Sequence, residues 1–321
     1  MDIIRGLHNL RPRHRGCALT IGNFDGVHLG HRAVLARLAD HARRLAVPGA
    51  LLVFEPHPRE FFSAAHAPAR LTRLREKLSA LATTGVERVI VARFDAALSS
   101  QPPAEFIEDL LVGRLGVRFV QVGDDFRFGY RAEGTFTLLA EAGVRLGFET
   151  ERHPTFVVQG ARASSSRVRD ALAGGDLDTA AAILGRPYSI CGRVRRGRQL
   201  GRTIGFPTAN VALARVATPI SGVFAVRLHE RDGTARPGVA NVGVRPTVDG
   251  TVPLLEVHLF DYEGDLYGRE VRVEFIRRLR EERKFDGIDA LRAQLARDAT
   301  AAREALGVAG SASGGDAGAG G

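Results

Sequence analysis

The apolar run Ala18-Leu19-Thr20-Ile21 empties without a spacer into Gly22-Asn23-Phe24-Asp25-Gly26-Val27-His28-Leu29-Gly30-His31. Beyond it, Ala33, Val34, Leu35 and Leu38 recur at helical spacing. A buried strand that turns through glycines directly into a helix is the opening unit of a parallel α/β sheet. The two histidines then fall at a helix N-terminus, where orphan N–H groups and the helix dipole receive phosphate. Imidazoles three residues apart share one face, so both reach a triphosphate poised there. His-x-Gly-His in this setting suits adenylyl transfer, in which charge builds on a phosphorus and the protein supplies donors rather than a nucleophile.

Short apolar runs continue to alternate with helical patterns as far as about Leu184. Ala50–Phe54 precedes Leu71–Leu81, Arg88–Ala92 precedes Ala104–Arg114, and Arg118–Val122 precedes Thr135–Ala142. This alternation predicts a parallel sheet wrapped by helices, with ligands at the carboxyl ends of its strands. The segments that follow those ends are the His-x-Gly-His turn, Glu55-Pro56-His57-Pro58 and Gly123-Asp124-Asp125-Phe126-Arg127-Phe128-Gly129. Each alone reads as loop chemistry; together they predict one shared site. Farther on, Ser164-Ser165-Ser166-Arg167-Val168-Arg169 predicts a helix over Arg167–Ala173 with Ser166 as its N-cap, stopped by Gly174-Gly175. Three hydroxyls and Arg169 at that end form a second candidate phosphate cradle. Asp176 caps a further helix to Leu184, and Gly185-Arg186-Pro187 marks a domain boundary.

Beyond the boundary the period changes. Ile190–Val194, Gly222–Leu228, Val239–Val242, Leu254–Phe260 and Val271–Ile276 are short strands between Gly, Pro and Asn turns, which predicts a small antiparallel barrel. A helix over about Ile288–Ala305 closes it. From Gly307 to Gly321 the chain is almost all Gly, Ala and Ser and is expected to be a disordered tail. Gly197, Gly201 and Gly205 space a loop that ends in Phe206-Pro207-Thr208-Ala209-Asn210, where backbone amides could approach phosphates and Thr208 a Mg²⁺ ion. In Leu254–Phe260 the residues alternate, so Leu255, Val257 and Leu259 share one face and Glu256, His258 and Phe260 the other. If that second face lines the barrel mouth, Glu256 is a candidate general base.

Composition excludes several alternatives. The formal charge is +9, yet only two of 45 basic residues are lysines, Lys77 and Lys284. Neither lies in a Walker A loop or a kinase Val-Ala-Ile-Lys setting, and no Gly-x-Gly-x-x-Gly follows a strand. The arginines are spread evenly and Trp is absent, which argues against a nucleic-acid stripe and fits anionic small substrates. Cys17 and Cys191 form no paired motif. No stretch approaches 18 apolar residues and the first residues carry four arginines, so no membrane partner and a cytoplasmic protein are expected.

These motifs, in this order, resemble the prokaryotic bifunctional riboflavin kinase/FAD synthetases, from Cys17 to about Ala305. The match rests on Gly22–His31, Phe54–Pro58, Gly123–Gly129 and Ser164–Arg169. In the second half it rests on Gly201–Asn210, Gly238–Val248 and Leu255–Asp261 with Asp265–Gly268. The resemblance implies a Rossmann-like nucleotidyltransferase domain over 1–185, a riboflavin kinase barrel over 186–306 and a tail over 307–321. The barrel would make FMN from riboflavin, ATP and Mg²⁺, with Glu256 as base, Thr208 and Asn210 as metal and phosphate ligands, and Gly201 and Gly205 in the covering loop. The first domain would join FMN to the AMP of a second ATP to give FAD. There His28 and His31 would stabilise phosphate charge, and Ser164, Ser165, Ser166 and Arg169 would hold phosphates. Gly22, Asn23, Phe24, Gly30 and Asp125 would help place nucleotide and flavin. The family commonly has Thr where this chain has Ser166, so the hydroxyl is kept and a methyl contact is lost. Oligomerisation is compatible with the sequence and not specified by it.

Overall fold

The computed structural model describes residues 1–197, 201, 204–247 and 250–308, which fall into two compact units. The first comprises Met1–Ser165 with Ile183–Gly185; the second comprises Ser166–Ala182 and the chain from Arg186. Arg202, Thr203, Val248 and the tail from Ala309 lie outside the described residues.

Six parallel strands build the first unit: β1 (Asp2–Arg5), β2 (Cys17–Ile21), β3 (Gly49–Glu55), β4 (Arg88–Arg93), β5 (Val117–Val122) and β6 (Glu149–Arg152). Their order is β1-β4-β3-β2-β5-β6. The central strands are apolar on both faces because helices cover both. Leu19, Leu52, Ile90 and Val120 pack with Phe106 and Leu110 on one side. Ala18, Leu51, Val89 and Phe119 pack with Val34, Leu35 and Leu38 of helix α1 (Leu29–Arg44) on the other. From β2 the chain steps through β3 to β4 in one direction, then returns to place β5 on β2's other side. The crevice at the carboxyl ends of β2 and β5 is therefore the topological switch point, where open α/β sheets take ligands.

β1 and β6, which the hydrophobic pattern does not announce, are the two sheet edges. Three of four β1 residues are exposed, and β6 reads Glu-Thr-Glu-Arg. The expected helix over Ala104–Arg114 is a short turn, Pro103–Glu105, followed by a wide helix over Phe106–Arg114 in which Leu115 N–H reaches back five residues to Leu110. The helix expected over Leu71–Leu81 begins at Leu74, because Leu71 and Thr72 are bonded instead to Asp25. A two-residue turn, Gln159-Gly160 at φ 50° and 73°, joins the short strands β7 (Val157–Val158) and β8 (Ala161–Arg162).

The second unit is a closed antiparallel barrel of β9 (Ser189–Arg195), β10 (Ala209–Ala212), β11 (Gly222–His229), β12 (Ala235–Thr247), β13 (Gly250–Leu259) and β14 (Glu270–Arg280), ordered β10-β13-β12-β11-β14-β9. Phe224, Val226, Leu255, Val257, Val273 and Phe275 fill its interior, each at most 1% exposed. The helix Ile288–Leu306 lies on the outer wall, where Ala302 and Leu306 meet Val223, Ala225 and Val239. Gly307 at φ 66° caps that helix and Val308 N–H bonds Arg303 O, so these two residues belong to the helix end rather than to a tail.

Candidate functional site

The turn after β2 is built from strained backbone. Phe24 and Val27 take φ of 48° and 44°, and Gly26 takes 83°. A left-handed valine costs on the order of 1–3 kcal/mol and persists only where packing overdetermines it. Here Val27 is fully buried and Phe24 is 5% exposed. Asp25 fixes the turn from outside: its carboxylate accepts from Leu71 N–H (3.0 Å), Thr72 N–H (2.9 Å) and Thr72 Oγ1 (3.0 Å). Ser165 Oγ donates to the Asp25 carbonyl at 2.9 Å.

That turn delivers three stacked rings. Phe24 lies 4.5 Å from His31, and His31 lies 3.6 Å from His28. Gly22 and Gly30 make room: a Cβ would sit 3.2 Å from the Phe24 ring in one case and 3.1 Å from the His28 ring in the other. His28 is the N-cap of α1, its Nδ1 accepting from His31 N–H at 3.3 Å. An accepting nitrogen carries no proton, so neutral His28 keeps its N–H at Nε2. Burial holds His31 well below the ordinary imidazole range, with the neighbouring His28, Lys77 and His153 acting in the same direction. His31 is thus a neutral ring at pH 7. Its Nδ1 and the Asn23 Oδ1 are buried without hydrogen-bond partners. Buried polar groups are rarely left so, and orphans beside a sheet's switch point are what a site awaiting a polar ligand shows.

Other expected residues stand elsewhere. Asp125 is exposed on the loop after β5, its carboxylate 3.6 Å from Arg162. The helix expected to begin at Arg167 starts at Ser165, so Ser166 lies in its first turn and is not its N-cap. Arg169 sits on the same helix. Glu55 and Glu60 both grip Arg70, and the guanidinium holds the Glu60 carboxyl below its usual range.

In the barrel unit the alternation of β13 holds, but its polar face points the other way from the expected one. Glu256 lies opposite Asn210 of β10 and Asn241 of β12, and Asn241 lies opposite Val223. Val223 belongs to the apolar cluster under the C-terminal helix. Glu256 therefore lies on the outer wall of the barrel, since the lumen is filled by Leu255, Val257 and Phe224. A cavity of about 410 Å³ opens there, lined by Gly201, Thr208, Asn210, Asn241, Glu256 and His258 on the strand side and by Arg283, Phe285, Leu291 and Leu295 across it.

The glycines of the covering loop act through contact. A Cβ on Gly201 would stand 2.2 Å from the Phe206 carbonyl oxygen, and one on Gly197 would stand 2.4 Å from Asn210 Nδ2. Gly205, at φ 81°, meets nothing and serves the turn itself. On the far wall Asp298, 3% exposed, accepts from Arg280 Nη2 (2.7 Å) and Gln294 Nε2 (2.7 Å), which ties the C-terminal helix to the end of β14. Arg280, Phe285 and Asp298 carried no motif that sequence reasoning could use, and Asn241, although inside the Gly238–Val248 motif, was given no role; an isolated Asp within a helix reads as surface. Among the described residues no three His, Cys, Asp or Glu side chains gather as a metal cage. Thr208 hydroxyl, Asn210 amide and Glu256 carboxylate form a hard oxygen set, which suits an ion that keeps waters and shares substrate phosphates.

A donor-rich turn at a parallel sheet's switch point and a carboxylate-bearing groove on a separate barrel define a two-unit, nucleotide-dependent transferase. Residues 10–167 match the FAD synthetase family and residues 184–306 the riboflavin kinase family. The chain is 50% identical over 309 residues to the bifunctional riboflavin kinase/FMN adenylyltransferase of Escherichia coli K12, covering 96% of this chain and 99% of that protein. It is 49% identical to that of Haemophilus influenzae, covering 94% and 98%. A crystal structure of a Streptococcus pneumoniae protein described as a macrolide-efflux protein superposes with a TM-score of 0.77 at 28% identity, covering 93% and 97%. No helix among the described residues is long and apolar enough to cross a membrane. The chain belongs to the bifunctional riboflavin kinase/FMN adenylyltransferase family. It phosphorylates riboflavin to FMN with ATP and adenylylates FMN with a second ATP, giving FAD and pyrophosphate.

Proposed function

We propose that residues 1–185 carry the adenylyltransferase, that residues 186–306 carry the kinase, and that the two reactions divide their residues by what each nucleophile needs. The phosphate of FMN is already an anion at neutral pH and attacks the α-phosphorus of ATP without a base. The 5′-hydroxyl of riboflavin holds its proton and needs one. The observation that carries this division is the placing of carboxylates. Asp25, the carboxylate of the histidine turn, is committed to Leu71 and Thr72, whereas Glu256 lines an open cavity between Asn210 and Asn241.

In adenylyl transfer, His28 and His31 donate to the phosphate oxygens as charge passes to pyrophosphate. Gly22, Asn23, Phe24, Gly30 and Asp125 place nucleotide and flavin. Ser164, Ser166 and Arg169 hold phosphate; Ser165 belongs to the same cradle, although its proton is given to Asp25. In phosphorylation, Glu256 takes the hydroxyl proton as the oxygen attacks the γ-phosphorus, and Gly201 and Gly205 let the loop close over ATP. Thr208 and Asn210 hold Mg²⁺ with the ATP phosphates, and the ion supplies charge neutralisation to the transferring group. A cytoplasmic site of action fits an enzyme that consumes ATP twice. Incubation with riboflavin, ATP and Mg²⁺, with FMN and FAD separated over time, tests the scheme. FMN should precede FAD, and Glu256→Gln should cut FMN formation by about 10²–10⁴ and FAD formation with it unless FMN is supplied. FAD formation from riboflavin by Glu256→Gln at the wild-type rate would overturn it.

A further inference from the structure

His258 has no role in the scheme above, yet one bond ties it to that machinery. Its ring is half-buried on the β13 face that carries Glu256, and Nδ1 lies 2.9 Å from the Pro207 carbonyl oxygen. A carbonyl only accepts, so the neutral ring carries its proton on Nδ1. Burial keeps that ring below the ordinary imidazole range, against the pull of the Pro207 bond. Phe206 and Phe260 stand edge-on to it at 5.2 and 6.0 Å and fix its plane.

The place of this bond in the ladder gives it meaning. β10 begins at Ala209, opposite Val257. One step earlier the backbone ladder has stopped, and the His258 side chain bonds the chain there instead. The bond grips the carbonyl of the peptide that joins Pro207 to Thr208. That peptide is planar and trans, so fixing its oxygen aims the Thr208 N–H the opposite way and fixes the place of the Thr208 Cα from which its side chain leaves the backbone. The ring of Pro207 fixes φ on the preceding side. Phe206 N–H bonds the Gly201 carbonyl at 2.8 Å, and Gly201 comes so near that its Cβ would stand 3.6 Å from Thr208 Oγ1. The segment Phe206–Thr208 is held by Gly201 and by His258, and two residues beyond it Asn210 of β10 faces Glu256.

We propose that His258 is a positioning residue for riboflavin phosphorylation: its bond to the Pro207 carbonyl sets the Thr208 hydroxyl and Asn210 amide for the metal–nucleotide complex. It does not touch the reacting atoms. The proposal rests on the reading that Thr208 and Asn210 hold that complex.

The test uses the full chain and four variants, His258→Phe, His258→Asn, His258→Gln and Thr208→Ala, with FMN formation followed against Mg-ATP and, separately, against riboflavin. Phenylalanine keeps the ring contacts and loses the donor, and one lost hydrogen bond is worth roughly three- to tenfold. His258→Phe should raise the KM for Mg-ATP by that factor and leave the KM for riboflavin within about twofold. Asparagine places an N–H near the position of Nδ1 and should restore the KM for Mg-ATP to within about twofold of wild type. Glutamine places its N–H farther out and should not. The Asn and Gln pair alone decides the matter if the Phe variant does not fold. An unchanged KM for Mg-ATP in His258→Phe, or equal behaviour of Asn and Gln, overturns the proposal. If Thr208→Ala leaves the KM for Mg-ATP unchanged, the reading beneath it has failed; if Thr208→Ala raises it and His258→Phe does not, the inference alone has failed.

Discussion

The two sites solve one problem, transfer from ATP, with opposite materials. At the end of β2 the protein spends strain: two left-handed non-glycine residues, Phe24 and Val27, hold a stack of three rings over unpartnered polar atoms. On the barrel wall the residues proposed for the kinase stand in unstrained register, Asn210, Glu256 and Asn241 side by side across three strands. On the proposed assignment the difference follows from the nucleophile. An anionic phosphate needs donors collected at one point, and a turn into a helix N-terminus collects them. A hydroxyl needs a base at a fixed distance from a bound metal–nucleotide complex, and neighbouring rungs of an antiparallel ladder fix that distance.

The sharpest break in this comparison comes from Glu256→Gln, which keeps shape and cannot accept a proton. FMN formation from riboflavin should fall by about 10²–10⁴, with FAD formation from supplied FMN at the wild-type rate. A loss of only a few-fold, measured by product chromatography, would make Glu256 a surface carboxylate. Next in size are His28→Ala and His31→Ala, each expected to cut FAD formation from FMN by roughly 10²–10³ while FMN formation hardly changes. Equal loss of both activities in a folded variant would contradict the assignment of one reaction to residues 1–185 and the other to residues 186–306.

Gly201→Ala should act on the barrel alone. Its Cβ cannot coexist with the Phe206 carbonyl at 2.2 Å, so the loop must shift, at about 1–3 kcal/mol. Riboflavin phosphorylation should drop by one to two orders of magnitude at the matching conversion, and adenylylation should be untouched.

A smaller effect distinguishes the turn from the barrel by pH. His31 is held below its ordinary value of 6.5 in the fold, so between its folded value and about 6.5 the unfolded chain binds the extra proton. Its contribution to stability is complete above about 6.5 and is lost as pH falls below it. The melting temperature should decline by a few degrees between about pH 7.5 and 5, and His31→Phe, which keeps the stack, should show a shallower decline by scanning calorimetry. Smallest of all, truncation after Val308 should change neither activity nor the melting temperature, because the residues beyond it offer almost nothing to bury.

What the sequence made legible divides along the same physical lines. β2, β3, β4 and β5 announced themselves because burial on both faces makes each an apolar run, and the residues after Ile21 marked a candidate site because glycines and two histidines there fall at a helix N-terminus. Edge strands β1 and β6 have one open side and polar composition, so periodicity had nothing to find. Three consecutive serines left the start of the helix ambiguous in phase, and Ser165 rather than Arg167 opens it. The alternation of β13 was clear, but a two-residue period does not say which face is lumen and which is wall. That depended on Ala302 and Leu306, more than 40 residues downstream, which cover the face beside Glu256. The left-handed backbone at Val27 had no sequence signal, since a valine there is against local preference and is held by tertiary packing.

The central claim is that residues 1–185 and residues 186–306 each complete one reaction with their own side chains, and mixing two crippled chains tests it directly. Glu256→Gln and His28→Ala, each folded and each unable to carry riboflavin to FAD alone, are combined in equal amounts with riboflavin, ATP and Mg²⁺. The account predicts that FMN made by the His28→Ala chain is taken up by the Glu256→Gln chain, and that FAD accumulates in the mixture. Accumulation of FMN without FAD, from two variants that each retain their one activity when assayed singly, would contradict it.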